Sequence, residues 1–138
     1  MEINKTDTSE AVMQLRYLQN VYSQQYEIVE NEIANYSMAL NSLSNSKLML
    51  DNIKKLENSN TLINCDGGTY IEASIKSINK VITYIGAGYL VEKNVEEATV
   101  FVSESSKKNE DVIKKLVTEK QRLQNELVDI SYKLSLMQ

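Results

Sequence analysis

Side chains capable of catalysis or metal binding are scarce in this chain, and their spacing predicts no active site. The 138 residues include no His and a single Cys, Cys65, which excludes imidazole chemistry, an internal disulfide and a zinc site built on several thiolates. The segment Asp66–Gly68 lacks the alternating carboxylates of a calcium loop, and Gly86–Gly88 lacks the third glycine and the following helix of a nucleotide loop. We interpret both segments as turns and Cys65 as a small buried residue.

Two charged clusters follow these turns, and we interpret both as solvated helix surface. Glu96, Glu97 and Glu104 resemble paired acids, but nothing near them in the sequence would desolvate a carboxylate for acid–base catalysis. A basic stretch contains Lys107, Lys108, Lys114, Lys115, Lys120 and Arg122. Overall, 19 Asp and Glu outnumber 15 Lys and Arg, which argues against nucleic acid as a partner. We therefore expect neither an enzyme nor a cofactor-binding protein.

The elements that carry these residues are mainly helical. The chain contains no Pro and four Gly, which favours long uninterrupted helices. We predict a single domain over residues 1–138, with a helical stretch at about 8–58, a β-rich middle at about 61–93 and a second helical stretch at about 94–137. Capping boxes are predicted at Asp7 with Glu10 and at Asn94 with Glu97.

Apolar residues in the two helical stretches recur in alternating steps of three and four, which predicts one stripe of contact between two helices. Each stripe contains one irregularity, at which two steps of four residues follow each other. It lies around Val29 in the first helix and around Leu123 in the second. If the helices run antiparallel and these irregularities coincide, Val29 faces Leu123. The predicted fold class is α+β: a long antiparallel two-helix coiled coil with two central β-hairpins.

The middle of the chain reads as four short strands in two hairpins. We predict strands at Leu62–Cys65, Tyr70–Lys76, Val81–Ile85 and Tyr89–Lys93. Two isolated hairpins cannot cover their own edges or their second face, so another chain is expected to complete them, as an intersubunit β-barrel would. The residues assigned to this contact are Ile71, Ala73, Ile75, Val81, Ile85, Gly86, Gly88, Tyr89 and Val91.

Apolar residues crowd the start of the first helix and the end of the second, which lie together in an antiparallel pair. Several fall outside the contact stripe and should remain partly exposed, namely Tyr17, Val21, Val128, Tyr132 and Leu136. An exposed apolar patch generally marks an interaction site, although ordinary scatter of surface hydrophobic residues is the alternative explanation. The full candidate set is Leu15, Tyr17, Leu18, Val21, Tyr22, Val128, Tyr132, Leu134, Leu136 and Met137.

The sequence also predicts a cytoplasmic location without membrane contact. No apolar run reaches the roughly 18 residues needed to span a bilayer. The first ten residues lack the basic and then apolar order of a secretory signal.

The middle of the chain resembles the double-hairpin signature of alpha-class prefoldin subunits, known from archaea and eukaryotes. The matching segments are Tyr70–Lys76 (YIEASIK) and Asn79–Lys93 (NKVITYIGAGYLVEK), of which Ile85–Lys93 is the most specific. The family often has an apolar-Pro-apolar segment where this chain has Leu62–Gly67 (LINCDG), and a small polar residue is commoner at the position of Tyr84. These departures bear on which partner pairs with the hairpins.

The resemblance implies a hexamer of two alpha-class and four beta-class subunits, whose hairpins form a β-barrel and whose coiled coils extend from it. It also implies ATP-independent capture of unfolded client proteins by the coiled-coil tips, formed here by the candidate apolar set, and delivery to a group II chaperonin. Two alternatives remain open. The chain could be a filament-forming structural protein of prefoldin type, or an adaptor whose coiled coil binds one specific helix.

Overall fold

The computed structural model describes residues 5–137 and confirms the α+β class. In chain order, the elements are α1 (Lys5–Asp51), α2 (Ile53–Leu56), β1 (Asn60–Asn64), β2 (Tyr70–Ser74), β3 (Val81–Gly86), β4 (Tyr89–Lys93) and α3 (Val95–Met137). Helices as long as α1 and α3 can form because the chain lacks Pro, which would remove a backbone donor and interrupt them. The chain divides into two compact units, a helical unit (residues 5–39 and 109–137) and a hairpin unit (residues 40–108).

In the helical unit, α1 and α3 run antiparallel. Gln19 Nε2 donates a hydrogen bond to Ser131 Oγ at 3.4 Å, and further along α1 Lys120 Nζ lies 3.1 Å from Glu30 Oε1. Residues further along α1 therefore contact residues nearer the start of α3, as in an antiparallel pair. Glu30 follows Val29, and Lys120 lies three residues from Leu123, so the observed pairing agrees with the predicted facing of Val29 and Leu123 to within one helical turn.

The apolar stripe of the helical unit is buried as its periodicity predicts. Its buried side chains are Val29, Leu123, Ile130 and Leu134, and Leu123 has no exposed surface at all. The steps of three and four place them on one face of each helix, where they exclude water from the contact.

The ends of the helices differ in part from the sequence prediction. The predicted start at Asp7 is wrong, because α1 already includes Lys5 and Asp7 lies within its first turn. A carboxylate in that turn still interacts favourably with the helix dipole. The first helical stretch is divided at Asn52 into α1 and α2. Asn52 Nδ2 donates to the Leu48 carbonyl at 2.8 Å, and its backbone N–H donates to the Met49 carbonyl at 3.1 Å, which tightens the last turn.

The start of α3 carries the predicted capping box. The backbone N–H of Glu97 donates to Asn94 Oδ1 at 2.8 Å, and the backbone N–H of Asn94 donates to Glu97 Oε2 at 3.3 Å. These two hydrogen bonds satisfy donors that the first turn of a helix leaves without partners. They fix the residue at which β4 gives way to helix.

The core of the hairpin unit lies where the helices meet the strands. Leu50 and Ile53 pack with Ala98 and Val102 of α3, and the partly buried side chains that cover this cluster are Leu43, Ile78, Val81 and Val95. Val81 is the first residue of β3, so the core reaches from the helices directly into the second hairpin.

Two antiparallel hairpins form separate two-stranded sheets. In the first, β1 pairs with β2 so that Thr61 faces Ala73, and in the second, β3 pairs with β4 so that Thr83 faces Val91. Both predicted turns are confirmed. Positive φ angles occur from Asp66 to Gly68 and from Gly86 to Gly88, and Gly86 at φ 110° occupies a conformation that side chains disfavour.

Cys65 lies between β1 and the first turn, and the prediction that it is buried is wrong for the single chain. The side chain is exposed, and its Sγ lies 3.6 Å from the Ile63 carbonyl oxygen. The reason is that the residue follows the last residue of a strand whose faces are themselves open.

Candidate interaction surfaces

The two hairpins expose apolar side chains on both of their faces. Among the residues predicted to contact another chain, Ile71, Ile85, Tyr89 and Val91 are exposed. Ala73, Ile75, Val81 and Gly86 are partly buried, and Gly88 is exposed. Val81 uses part of its surface within the chain, where it packs against the core of the hairpin unit.

Sequence reasoning expected a second uncovered face on the hairpins but named none of its residues. The second faces expose Leu62, Tyr70, Ile82, Tyr84 and Leu90, and Ile63, which was also not named, lies beside Ile71 on the predicted face. The signal was present, because apolar residues occupy consecutive positions in β1, β3 and β4 rather than alternating with polar ones. Such runs are typical of strands that are covered on both faces. A single pair of strands with two apolar faces is marginal in water, so the hairpins are an incomplete structure.

The second hairpin is ordered by contacts made within it. The backbone N–H of Gly88 donates to Tyr84 Oη at 3.3 Å, and Lys80 Nζ lies 3.3 Å from Glu92 Oε2 across the strands. The Tyr84 hydroxyl therefore caps the turn. The open apolar faces therefore belong to a hairpin of defined shape.

A second set of exposed apolar side chains lies on the helical unit, near the start of α1 and the end of α3, and we call it the tip patch. It consists of the exposed side chains Met13, Tyr17, Val128, Tyr132 and Leu136. Tyr17 is 69% exposed and Tyr132 is 63% exposed, which are large values for aromatic side chains. The exposure predicted for Tyr17, Val128, Tyr132 and Leu136 is confirmed, and Val21 is partly exposed as expected.

The remaining predicted tip residues divide between the surface and the stripe. Leu18 and Met137 are about two-fifths exposed, Leu15 and Tyr22 are intermediate, and Leu134 is buried with 8% exposed. Met13 is 68% exposed and was absent from the predicted set. Its spacing of four from Tyr17 places it on the same face of α1, and this spacing could have identified it.

The outward face of α3 around Val128, Tyr132 and Leu136 is mostly uncharged. Exposed uncharged residues accompany Val128, Tyr132 and Leu136 at spacings of three, four and seven, namely Gln121, Gln124, Asn125, Ser131 and Ser135. Asp129 and Lys133 also lie at these spacings, and they form an ion pair with each other, since Lys133 Nζ lies 2.9 Å from Asp129 Oδ2. This face of α3 therefore offers apolar surface for contact and only charges that are already paired.

Several charged groups of the helical unit are paired with one another. A hydrogen bond to Glu30 is the main cause of the raised pKa of Lys120, whose ammonium also lies 5.4 Å from the centroid of the Tyr26 ring. Arg122 donates to both oxygens of Glu119, at 2.7 Å and 3.0 Å, which lowers the pKa of that carboxyl. These groups join or stiffen the helices.

The described residues show no arrangement suited to metal binding or to membrane crossing. Within 5–137, no three His, Cys, Asp or Glu residues converge as ligands. In the same range, no helix has an 18-residue segment apolar enough to span a bilayer.

Comparison with known proteins identifies the family. The prefoldin subunit family model matches residues 22–138. The chain is 34% identical over 103 residues to prefoldin subunit alpha of Methanocorpusculum labreanum, which covers 72% of this chain and 70% of the relative. It is 27% identical over 103 residues to prefoldin subunit alpha of Pyrococcus horikoshii, which covers 73% and 70%.

A solved structure shares the fold. The cryo-EM structure of filamentous PFD from Methanocaldococcus jannaschii superposes with a TM-score of 0.55 at 24% identity, covering 85% of this chain and 92% of that chain. The family model spans both hairpins and most of both long helices, which are the elements that carry the predicted resemblance. The chain belongs to the prefoldin family, and its relatives are alpha subunits.

Proposed function

We propose that this prefoldin subunit is part of an ATP-independent chaperone that captures unfolded polypeptides at its helix ends and passes them to a group II chaperonin in the cytoplasm. The observation that carries the proposal is the tip patch, where two Tyr and three aliphatic or Met side chains remain exposed at one end of a paired helix. No reactive group is required. Unfolded chains expose apolar side chains, and burial of those side chains against the patch supplies the free energy of capture.

The hairpins supply the second part of the proposal, which is assembly. Their open edges and two apolar faces are covered when hairpins of several subunits form one closed sheet. Two alpha-class and four beta-class subunits would give six pairs of helices. Each patch is too small to hold a client alone, but several patches on one assembly bind together through their high effective concentration. Capture and release can then coexist.

The tip patch is tested by substitution in the assembled complex. We expect the combined change Tyr17→Ser, Val128→Ser, Tyr132→Ser and Leu136→Ser to abolish suppression of aggregation of a reporter enzyme diluted from guanidinium chloride. The matched control is Met38→Ser with Val117→Ser, which removes exposed apolar side chains of the same helices outside the patch. Unchanged suppression by the patch variant, or equal loss in the control, would exclude the patch as the capture site.

A filament is the second candidate, favoured by one observation. The solved neighbour with TM-score 0.55 is a filamentous assembly, and the likeness covers 85% of this chain. Native mass spectrometry of the purified chain, alone and after co-expression with a beta-class subunit, separates the two. A defined mixed hexamer supports the chaperone complex, whereas open-ended growth of the chain alone supports the filament.

Delivery to a chaperonin is tested separately. We expect a client held by the complex to be transferred to an added group II chaperonin and to regain activity when ATP is supplied to the chaperonin. Retention of the client on the complex under those conditions would contradict the hand-off while leaving capture intact.

A further inference from the structure

A groove in the hairpin unit lies outside the surfaces described so far. It is formed where β4 ends and α3 begins, and it is lined by Lys93, Glu96, Glu97, Val100, Phe101 and Glu104. Val100 is 56% exposed, and Phe101, the only Phe of the chain, is partly exposed. An apolar floor of this kind beside acidic side chains is neither core nor ordinary solvated surface.

The groove already holds one cation of its own chain. Lys93 Nζ lies 4.3 Å from the centroid of the Phe101 ring, which is a favourable distance for a cation over an aromatic face. The Phe101 ring thus contacts an ammonium in a setting with three carboxylates. This contact shows which chemistry the groove accommodates, namely a positive charge attached to an apolar stem.

The acidic charge of the groove exceeds what Lys93 can neutralise. Glu97 Oε2 accepts a hydrogen bond from the Asn94 backbone in the capping box, and the ion pairs observed among residues 5–137 involve other carboxylates. Glu96 and Glu104 are exposed and available to a partner. Their charge selects against an acidic partner and in favour of a basic one.

We propose that this groove binds a Lys-bearing segment of a neighbouring prefoldin-type subunit, with an apolar side chain of that segment against Val100 and Phe101 and its ammonium groups beside Glu96 and Glu104. The inference rests on the proposed assembly through the hairpins. Lys93 is the last residue of β4, so a subunit that covers the second hairpin is brought next to the groove. The helix surface would then extend the contact beyond the strands.

Zero-length cross-linking of the assembled complex tests the occupant directly. A water-soluble carbodiimide joins carboxylates only to amines in direct contact. We expect mass spectrometry to find Glu96 or Glu104 linked to a Lys of another subunit. Links from these carboxylates to Lys93 alone, or to a Lys of a client but of no subunit, would overturn the proposal.

Paired substitutions test the energetic role of the groove. We expect Glu96→Lys with Glu104→Lys to weaken assembly about tenfold in apparent dissociation constant, because two exposed attractions become repulsions. Phe101→Ala should weaken assembly as well. The matched control is Glu110→Lys with Asp111→Lys, which reverses two charges on the same helix outside the groove. Equal effects of the two double variants, or no effect of either, would contradict the proposal.

The outcomes separate this inference from the proposed function. If the wild-type chain forms no assembly with beta-class subunits, the proposed function fails. If assembly occurs normally and the groove variants behave as wild type, only the groove proposal fails. Circular dichroism of each variant checks that α3 is still formed, so that loss of assembly is not loss of folding.

Discussion

Single side chains decide how the strands are attached to the helices. Glu57, just after α2, accepts a hydrogen bond at Oε1 from the backbone N–H of Ile78, at 2.9 Å, and Lys54 Nζ lies 3.9 Å from the same oxygen. Ile78 lies between the two hairpins and packs against the core of the hairpin unit. One carboxylate therefore fixes the position from which the second hairpin begins.

Removal of the Glu57 carboxylate should lower the stability of the fold. We expect Glu57→Ala to lower the free energy of unfolding by about 1–3 kcal/mol, because the partly buried Ile78 N–H loses its partner. Glu57→Gln keeps a side-chain oxygen acceptor and should have a smaller effect. Urea unfolding followed by circular dichroism measures both, and equal losses in the two variants would show that the hydrogen bond is unimportant.

The engaged charges of the helical unit predict a dependence on pH. Hydrogen bonds from Arg122 lower the pKa of Glu119 in the folded chain, so its contribution is present above the unfolded-state pKa and is lost as pH falls through the folded-state pKa. We expect the unfolding temperature to fall on acidification through the carboxyl range, and to fall slightly less in Glu119→Gln. The control is Glu110→Gln. A steeper acid loss in Glu119→Gln than in the control would contradict this assignment.

At the scale of elements, the two long helices are held by one stripe of side chains and not by a broad core. Leu123 is the only fully buried large side chain among the described residues. It lies where two steps of four residues interrupt the apolar repeat of α3. A helix pair of this kind has few other residues to compensate for a lost contact, so its stability is concentrated in a few positions.

Leu123→Ala tests that concentration. We expect it to lower the free energy of unfolding by about 2–5 kcal/mol, as for other buried Leu truncations. Leu136→Ala is the matched control on the same helix, because Leu136 is 68% exposed and its loss should change stability little. Thermal unfolding of both variants provides the comparison, and similar shifts in the two would mean that the stripe does not carry the stability.

Features of the fold that arise from local sequence patterns could be predicted, and features that depend on other parts of the molecule could not. The capping box at Asn94, both turns and the facing of Val29 and Leu123 arise from local patterns or from a repeat, and sequence reasoning found them. The interruption at Asn52 comes from a local bond that the apolar repeat does not reveal, whereas the exposure of Cys65 depends on tertiary surroundings. Asn52 bonds back to Leu48, and the burial of Cys65 depends on what covers the strand rather than on the type of residue.

The candidate surfaces were predictable in outline only. Tyr17, Tyr132 and Leu136 fall outside the stripe and could be identified from spacing. Leu134 lies in the stripe and is buried, which shows that apolar type alone does not place a residue at the surface. The residues on the second faces of the hairpins were not named because the predicted set was drawn from one face, although the strands carry consecutive apolar residues.

For the whole molecule, the two kinds of exposed apolar surface differ in their electrostatic surroundings. Beside the tip-patch residues of α3, the charges of Asp129 and Lys133 are paired with each other, whereas the groove near Phe101 has an excess of acidic side chains. Capture of clients and contact between subunits should therefore respond differently to ionic strength, because salt screens charges but not apolar burial.

This contrast gives a prediction for the intact complex. We expect suppression of reporter aggregation to change less than twofold between about 50 and 300 mM sodium chloride, a range in which screening of exposed charges becomes strong. Light scattering of the reporter measures suppression, and native mass spectrometry at each salt concentration confirms that the complex is still assembled. A steep loss of suppression with the assembly intact would mean that charges dominate client capture.

The uncovered hairpin edges have a consequence for the cell that makes this chain. A subunit produced in excess of its partner subunits would expose unpaired edge strands. Other chains could pair with those strands, so the excess subunit would itself aggregate. Because of these two short hairpins, the cell must either synthesise the subunits in balanced amounts or degrade unassembled subunits rapidly.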